Sequence, residues 1–246
     1  MNSRLDGGGD FTRAASDFSA TLLAMAGHDL RQPLQVIVGA HDLLARIPHG
    51  GAAQAQLARA EDATRQLADK LDQLVEALRL REFATSDHHE PVPLGPVLAQ
   101  LASEFAEPAR SKGVKLHVIP ASDAVFSHPV LLNGILRNLA RNAIEYTPRG
   151  GRVLVLCRRH GSQVRLEVRD SGIGIPGAEL GKVFRAFHRA YTTRFEGLGL
   201  GLFIVKSAAD LLGHRIQVSS VVGRGSCFAI VAEAAPPGVT LTATAA

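Results

Sequence analysis

Asp170-Ser171-Gly172-Ile173-Gly174-Ile175-Pro176 follows directly on a strand-like run, Val164 to Arg169. An ordinary strand-to-loop turn explains the glycines, which tolerate backbone conformations and close approaches that a Cβ forbids. It does not require the order Asp-x-Gly-x-Gly. Read functionally, Gly172 and Gly174 let the backbone come close to a flat ligand. Asp170 can then accept a hydrogen bond from an exocyclic amine such as that of adenine.

Two further stretches flank this loop. Upstream, Asn138-Leu139-Ala140-Arg141-Asn142-Ala143-Ile144-Glu145-Tyr146 sets Asn138 and Asn142 four residues apart, on one helix face. A carboxamide oxygen is a hard neutral ligand suited to Mg²⁺, which keeps several waters and borrows phosphate oxygens. Two asparagines on a wet helix face are also common. Downstream, Gly197-Leu198-Gly199-Leu200-Gly201-Leu202 runs straight into a helical pattern. Glycines before a helix N-terminus expose backbone N–H groups to an anion, with the helix dipole assisting. The stretch is not a P-loop, because Gly-Lys-Ser/Thr is missing, and no parallel βαβ unit surrounds it.

The segments around these motifs mix helices with hairpins. Helices are expected over Leu94 to Lys112, His128 to Tyr146 and Leu200 to Leu212, and a strand over Leu116 to Ile119. Arg152 to Arg158 and Val164 to Arg169 form a hairpin across His160-Gly161-Ser162. Ile216 to Val221 and Cys227 to Ala232 form another across Gly223-Arg224-Gly225. This predicts an α/β sandwich over 93–235, helices on one face of a mixed sheet.

Residues 11–84 read differently, as two long helices around the breaker Ile47-Pro48-His49-Gly50-Gly51. In the second, Leu57, Ala60, Thr64, Leu67, Leu71, Leu74 and Leu78 alternate spacings of three and four, a heptad seam. Leu30, Leu34, Ile37, His41 and Leu44 repeat that spacing in the first. Two such helices bury one stripe against each other, and a second copy of the chain covers the other. The expectation is a helical hairpin forming a dimeric four-helix bundle, a homodimer. Residues 85–92 look like a linker, and 236–246 like a disordered tail.

Near the start of this hairpin stands Gly27-His28-Asp29-Leu30-Arg31-Gln32-Pro33. Pro33, inside a helical pattern, removes a backbone donor and crowds the carbonyl of Asp29 one turn back. Gln32 shares a helix face with His28. A neutral imidazole is a nucleophile near pH 7, and an adjacent carboxylate can take its proton. A polar helix face that merely holds these residues is the plainer reading.

Composition bounds the rest. The 246 residues are 46% hydrophobic and 20% charged, ordinary for a folded protein. No apolar run approaches the roughly 20 residues of a membrane span, so no direct span is expected. Cys157 and Cys227 are too few for a disulfide framework or a cysteine-based zinc site, and a reducing, cytoplasmic setting is expected. The formal charge of +4 is spread along the chain, and aromatics are 5% with no Trp. No nucleic-acid partner is therefore expected.

In this order and at these separations, the four motifs resemble the H, N, G1 and G2 boxes of bacterial two-component sensor histidine kinases. Val183-Phe184-Arg185-Ala186-Phe187-His188-Arg189 resembles the F box between the last two. The likeness spans roughly residues 15–233. It implies a dimerisation and histidine-phosphotransfer bundle followed by a Bergerat-type ATP-binding domain of the GHKL superfamily. By the resemblance, His28 is the phosphoacceptor and Asp29 its acidic partner. Asn138 and Asn142 hold Mg²⁺-triphosphate, with Asn142 the metal ligand, and Asp170 reads adenine. Gly172 and Gly174 shape the nucleotide floor; Gly197, Gly199 and Gly201 bound a lid; Arg189 contacts phosphate. The implied cofactors are ATP and Mg²⁺. The implied partners are a response regulator receiver domain and an upstream sensor domain or protein.

Three positions depart from the family pattern. Glu145 stands where Lys or Arg is usual; Arg141 could pair with it, or Glu145 could bind Mg²⁺ directly. Leu198 replaces a common Thr. Gln32 replaces Thr or Asn, yet its amide can still orient a water for phosphatase chemistry. The rivals to an autokinase are a degenerate dimeric phosphotransfer scaffold without productive ATP use, and a GHKL-type ATPase.

Overall fold

The computed structural model describes residues 34–41, 43, 53–61, 63, 64, 67, 68, 71, 75, 89–188, 190 and 199–235. The expected linker residues 85–88 and the tail 236–246 lie outside them. Packing divides the chain into two units, Met1–Leu78 and Arg79–Ala246.

In the first unit, residues 34–41 (α1) and 53–61 (α2) are helical, as is every other described position up to 75. Of the expected seam, Leu57, Ala60, Thr64, Leu67 and Leu71 are described. Ala53, Gln56, Ala60, Ala63 and Leu67 form the better covered stripe, again spaced by three and four. Leu57 and Leu71, one position round the helix, are 50% and 46% exposed, and Leu34 and Val38 are 50% and 53% exposed.

The second unit runs β1 (Glu90–Pro93), α3 (Leu94–Lys112), β2 (Lys115–Val118), β3 (Ala124–Ser127), α4 (Pro129–Tyr146), β4 (Arg152–His160), β5 (Gln163–Asp170), α5 (Gly177–Leu180), α6 (Gly201–Leu211), β6 (Arg215–Val221) and β7 (Gly225–Glu233). Five strands form a mixed sheet in the order β2-β4-β5-β7-β6, and β1 pairs with β3 in a two-stranded sheet. Only β2 and β4 are parallel; α3, between β1 and β2, is the long connection that delivers β2 to the sheet edge.

Each long helix carries its own reason for packing inward. In α3, Leu94, Val97, Leu98, Leu101, Phe105 and Ala109 make one buried stripe. The helix stops at Gly113, whose φ of 74° permits the left-handed cap, and Val114 N–H returns to Ala109 O at 2.8 Å. Helix α4 starts with Pro129 at its first position, where a missing N–H costs nothing. It packs on β4 and β5, and its buried Leu132, Ile135, Leu136 and Leu139 share the core with Val153, Val155, Leu166 and Val168. The α/β sandwich with helices on one face of a mixed sheet is thus present.

Strands β1 and β3 were not expected. Strand β1 overlaps the stretch 85–92, which reads as a linker because it is polar and carries Pro91, and the only strand that β3 pairs with is β1. A two-stranded sheet has an outward edge where proline's missing donor is tolerated. Beside this small sheet, the His214 ring lies 3.0 Å from Ser127 Oγ, both side chains buried. Burial, reinforced by the nearby charge of His89, pushes the His214 imidazole pKa down to about 4.

Candidate functional site

Asn138 and Asn142 stand one turn apart on α4, and the start of α6 comes to them. The position a Gly201 Cβ would occupy lies 3.3 Å from Asn138 Oδ1 and 3.4 Å from Asn142 Oδ1. Asn138 is 2% exposed, and its Nδ2 donates to Gly134 O at 2.9 Å. That bond fixes the amide so that its oxygen faces Gly201. The N-terminal end of α6, where the helix dipole favours an anion, stands beside the two asparagines.

Gly199, with φ 67°, accepts a hydrogen bond from Phe187 N–H at 3.1 Å. Phe187 itself has φ 62°, the one non-glycine left-handed residue described. Such a conformation costs about 1–3 kcal/mol and persists where the surroundings enforce it. The stretch is anchored further by Phe184 edge-to-face on Phe228 at 6.4 Å and by His188 Nε2 2.6 Å from Glu179 Oε2.

Asp170 ends β5. Its Oδ1 accepts the N–H of Gly172 at 2.8 Å and of Ser226 at 3.1 Å. Among the described residues no hydrogen bond reaches Oδ2. Burial raises the carboxyl pKa, and the two N–H bonds oppose that rise. The glycines after it serve packing more directly than ligand approach. A Cβ on Gly172 would strike Tyr146 O, and one on Gly174, where φ is 72°, would strike Val221 O. Ile173 N–H bonds to Tyr146 O at 3.2 Å, which ties the loop to the end of α4.

Several of these partners were invisible in the sequence. Ser220 Oγ accepts Ile175 N–H at 2.8 Å and donates to Gly225 O at 2.9 Å, holding the loop to the β6–β7 hairpin. Gly225, with φ 101°, leaves room for Asp170 O. The glycines of this hairpin looked like an ordinary turn. Lys112 was also missed. Its Nζ donates to Ile144 O at 2.9 Å and to Glu145 O, and its charge acts on Glu145. Desolvation lowers the Lys112 pKa and Glu145 raises it.

The structure therefore brings Asn138, Asn142 and Gly201 together, sets Gly199 against Phe187 and His188, and separately packs Gly172 on the end of α4 and Gly174 on the β6–β7 hairpin beside Asp170. His28, Asp29, Gln32, Arg189 and Gly197 lie outside the described residues. Among the described residues no three His, Cys, Asp or Glu cluster as metal ligands. A cation here would be held by the asparagine oxygens together with oxygens of its own ligand, which the carboxamide donor set suits.

Residues 127–236 match the family described as histidine kinase-, DNA gyrase B- and HSP90-like ATPase. The chain is 30% identical to the sensor histidine kinase AtsR of Burkholderia thailandensis over 93% of its own length and 40% of that protein's. It spans less than half of the curated relatives it matches first, 40%, 30% and 43% of them. Among solved structures, full-length ShkA in complex with AMPPNP matches at 25% identity and TM-score 0.60, over 88% of this chain and 46% of that one. The complex of the histidine kinase ThkA with the response regulator protein TrrA shares the fold at 20% identity and TM-score 0.67, over 90% of this chain and 63% of that one.

Proposed function

We propose, from the premise that residues 127–236 belong to the histidine kinase-, DNA gyrase B- and HSP90-like ATPase family and that the chain is a relative of sensor histidine kinases, that it is an ATP-dependent histidine autokinase. The observation that carries this reading is the convergence of Asn138 and Asn142 on Gly201 at the uncapped start of α6. Carboxamide oxygens beside the positive end of a helix suit a metal–triphosphate.

In this reading Asp170 Oδ2 accepts the adenine amine, while Oδ1 stays occupied by the two backbone N–H groups that hold the carboxylate still. Gly172 and Gly174 form the floor of the nucleotide site. Gly197, Gly199 and Gly201 border the phosphates, and Arg189 adds a cation to them. Asn142, with Asn138, would hold Mg²⁺, which when bound neutralises charge on the triphosphate. Lys112 beside Glu145 supplies the neutralising cation that this carboxylate needs near phosphate, which supports productive ATP use over a degenerate scaffold.

The imidazole of His28 attacks the γ-phosphorus in line; the bond to the β-γ bridging oxygen breaks, ADP leaves, and the imidazole proton passes to Asp29. Positioning and charge neutralisation supply most of the catalysis. The N–P bond formed is labile, and the phosphoryl group passes to an aspartate of a response regulator receiver domain. Gln32 can orient a water that hydrolyses the receiver's aspartyl phosphate to inorganic phosphate, a phosphatase reaction distinct from the transfer. An upstream sensor domain or protein supplies the signal. The exposed Leu34, Leu57 and Leu71 favour a homodimer through a four-helix bundle. No described helix is long and apolar enough to cross a membrane, and we place the chain in the cytoplasm.

Incubation with γ-labelled ATP and Mg²⁺ tests the reading. Acid-labile, base-stable label on the wild type and none on His28→Gln is expected. ATP hydrolysis that survives His28→Gln, without protein label, would instead establish a GHKL-type ATPase.

A further inference from the structure

The five-stranded sheet has a second face, turned away from the helices. Cross-strand partners fix its membership. Lys115 stands opposite Arg152, Arg158 opposite Arg165, and Arg215 opposite Val231, which in turn faces Arg165. Arg169 lies on the same side of β5 as Arg165, two pairs along. These six cations share the face with two carboxylates, Glu167 and Glu233. Glu167 is 4% exposed and paired with both Arg165 and Arg169, so it acts beneath the surface as a fixed counter-charge. The charges that looked scattered along the chain are therefore gathered by period-two alternation onto one plane.

This arrangement is costly for folding alone. Like charges directly across a sheet destabilise it, and both Lys115–Arg152 and Arg158–Arg165 are such pairs. At the rim, the β6–β7 turn adds Val221 and Val222, 57% and 59% exposed, next to exposed Arg224. A broad cationic plane edged by projecting aliphatic side chains matches a surface that is flat, anionic and apolar just below its charges. No Phe, Tyr or Trp stands on this face, so it lacks the stacking platforms by which sheets hold nucleic-acid strands.

We propose that the outer sheet face docks on the anionic headgroups of a phospholipid bilayer, with Val221 and Val222 entering the interface. Lys and Arg side chains at such a surface each favour binding, and salt within the Debye range weakens it. The inference stands independently of the phosphotransfer reading.

Co-sedimentation of the full chain with phosphatidylglycerol–phosphatidylcholine vesicles, against pure phosphatidylcholine vesicles, tests it. Binding to the anionic vesicles only, released on raising the salt, is expected. The triple substitution Arg152→Glu, Arg158→Glu and Arg215→Glu should lower the partition coefficient at least about tenfold. Val221→Ser with Val222→Ser should weaken partition while leaving its salt dependence unchanged. An unaltered circular dichroism spectrum and melting temperature show that either variant still folds. The proposal fails if the folded triple variant binds like the wild type, or if neither vesicle is bound. It also fails if a DNA duplex at equal phosphate concentration competes the chain off the vesicles, which would give the face to nucleic acid.

Discussion

The two oxygens of Asp170 face different environments, and that difference can be tested by one atom's replacement. Oδ1 accepts two backbone N–H groups, a task an Asn side-chain oxygen performs equally well. Asp170→Asn should therefore keep the loop and the melting temperature, yet present an NH₂ where the adenine amine needs an acceptor. Nucleotide affinity measured by calorimetry should fall at least about tenfold, since a site built to receive a donor rejects one that cannot pair. His214 gives a second residue-scale expectation. Its folded pKa of about 4 lies below the unfolded value of 6.5, so the unfolded chain binds the extra proton between them. Stability is then complete above pH 6.5 and lost as pH falls toward 4, by about 3 kcal/mol at most. Urea midpoints at neutral and mildly acidic pH should show this slope, and His214→Gln should flatten it.

At the scale of elements, the loop after β5 is held by the hairpin beside it. Gly174→Ala places a Cβ on Val221 O at a φ of 72°, whereas Gly177→Ala meets nothing within 4 Å. The first should lower stability by more than about 2 kcal/mol and the second by little, as thermal melts would show. Gly201→Ala is expected to separate function from folding. Alanine suits a helix's first turn, but its methyl crowds both asparagine oxygens at 3.3 and 3.4 Å, so nucleotide affinity should fall while the melting temperature holds.

Which elements could be read from sequence follows from how far each signal reaches. The span of α3 from Leu94 to Lys112 was fully legible, because a long apolar stripe ends on a glycine cap. So were the asparagine pair and the glycine motifs, whose spacing is local. Strands β1 and β3 were not: β1 carries Pro91 and Pro93, and the four residues of β3 form a sheet only with β1, some thirty residues away in the chain. Ser220 and Lys112 reach the site only through tertiary contacts, across 45 and 32 residues of chain, and no local pattern announces a partner at that distance.

For the whole molecule, the covered stripe of small residues and the exposed leucines divide the first unit's surface into two kinds. Sedimentation velocity on the full chain should report a dimer. Leu57→Glu with Leu71→Glu should give a monomer that still binds nucleotide, since neither residue lies in the unit that carries the asparagines and Asp170. Within that second unit, the β6–β7 turn is joined to the loop carrying Gly172 and Gly174. Gly223 N–H bonds to Ile173 O at 2.8 Å, and Val221 O sits where only a glycine leaves room. A small fluorophore attached at Arg224, on the solvent side of that turn, would thus be mechanically geared to the adenine loop. It would serve as an outside gauge of occupancy without touching the ligand.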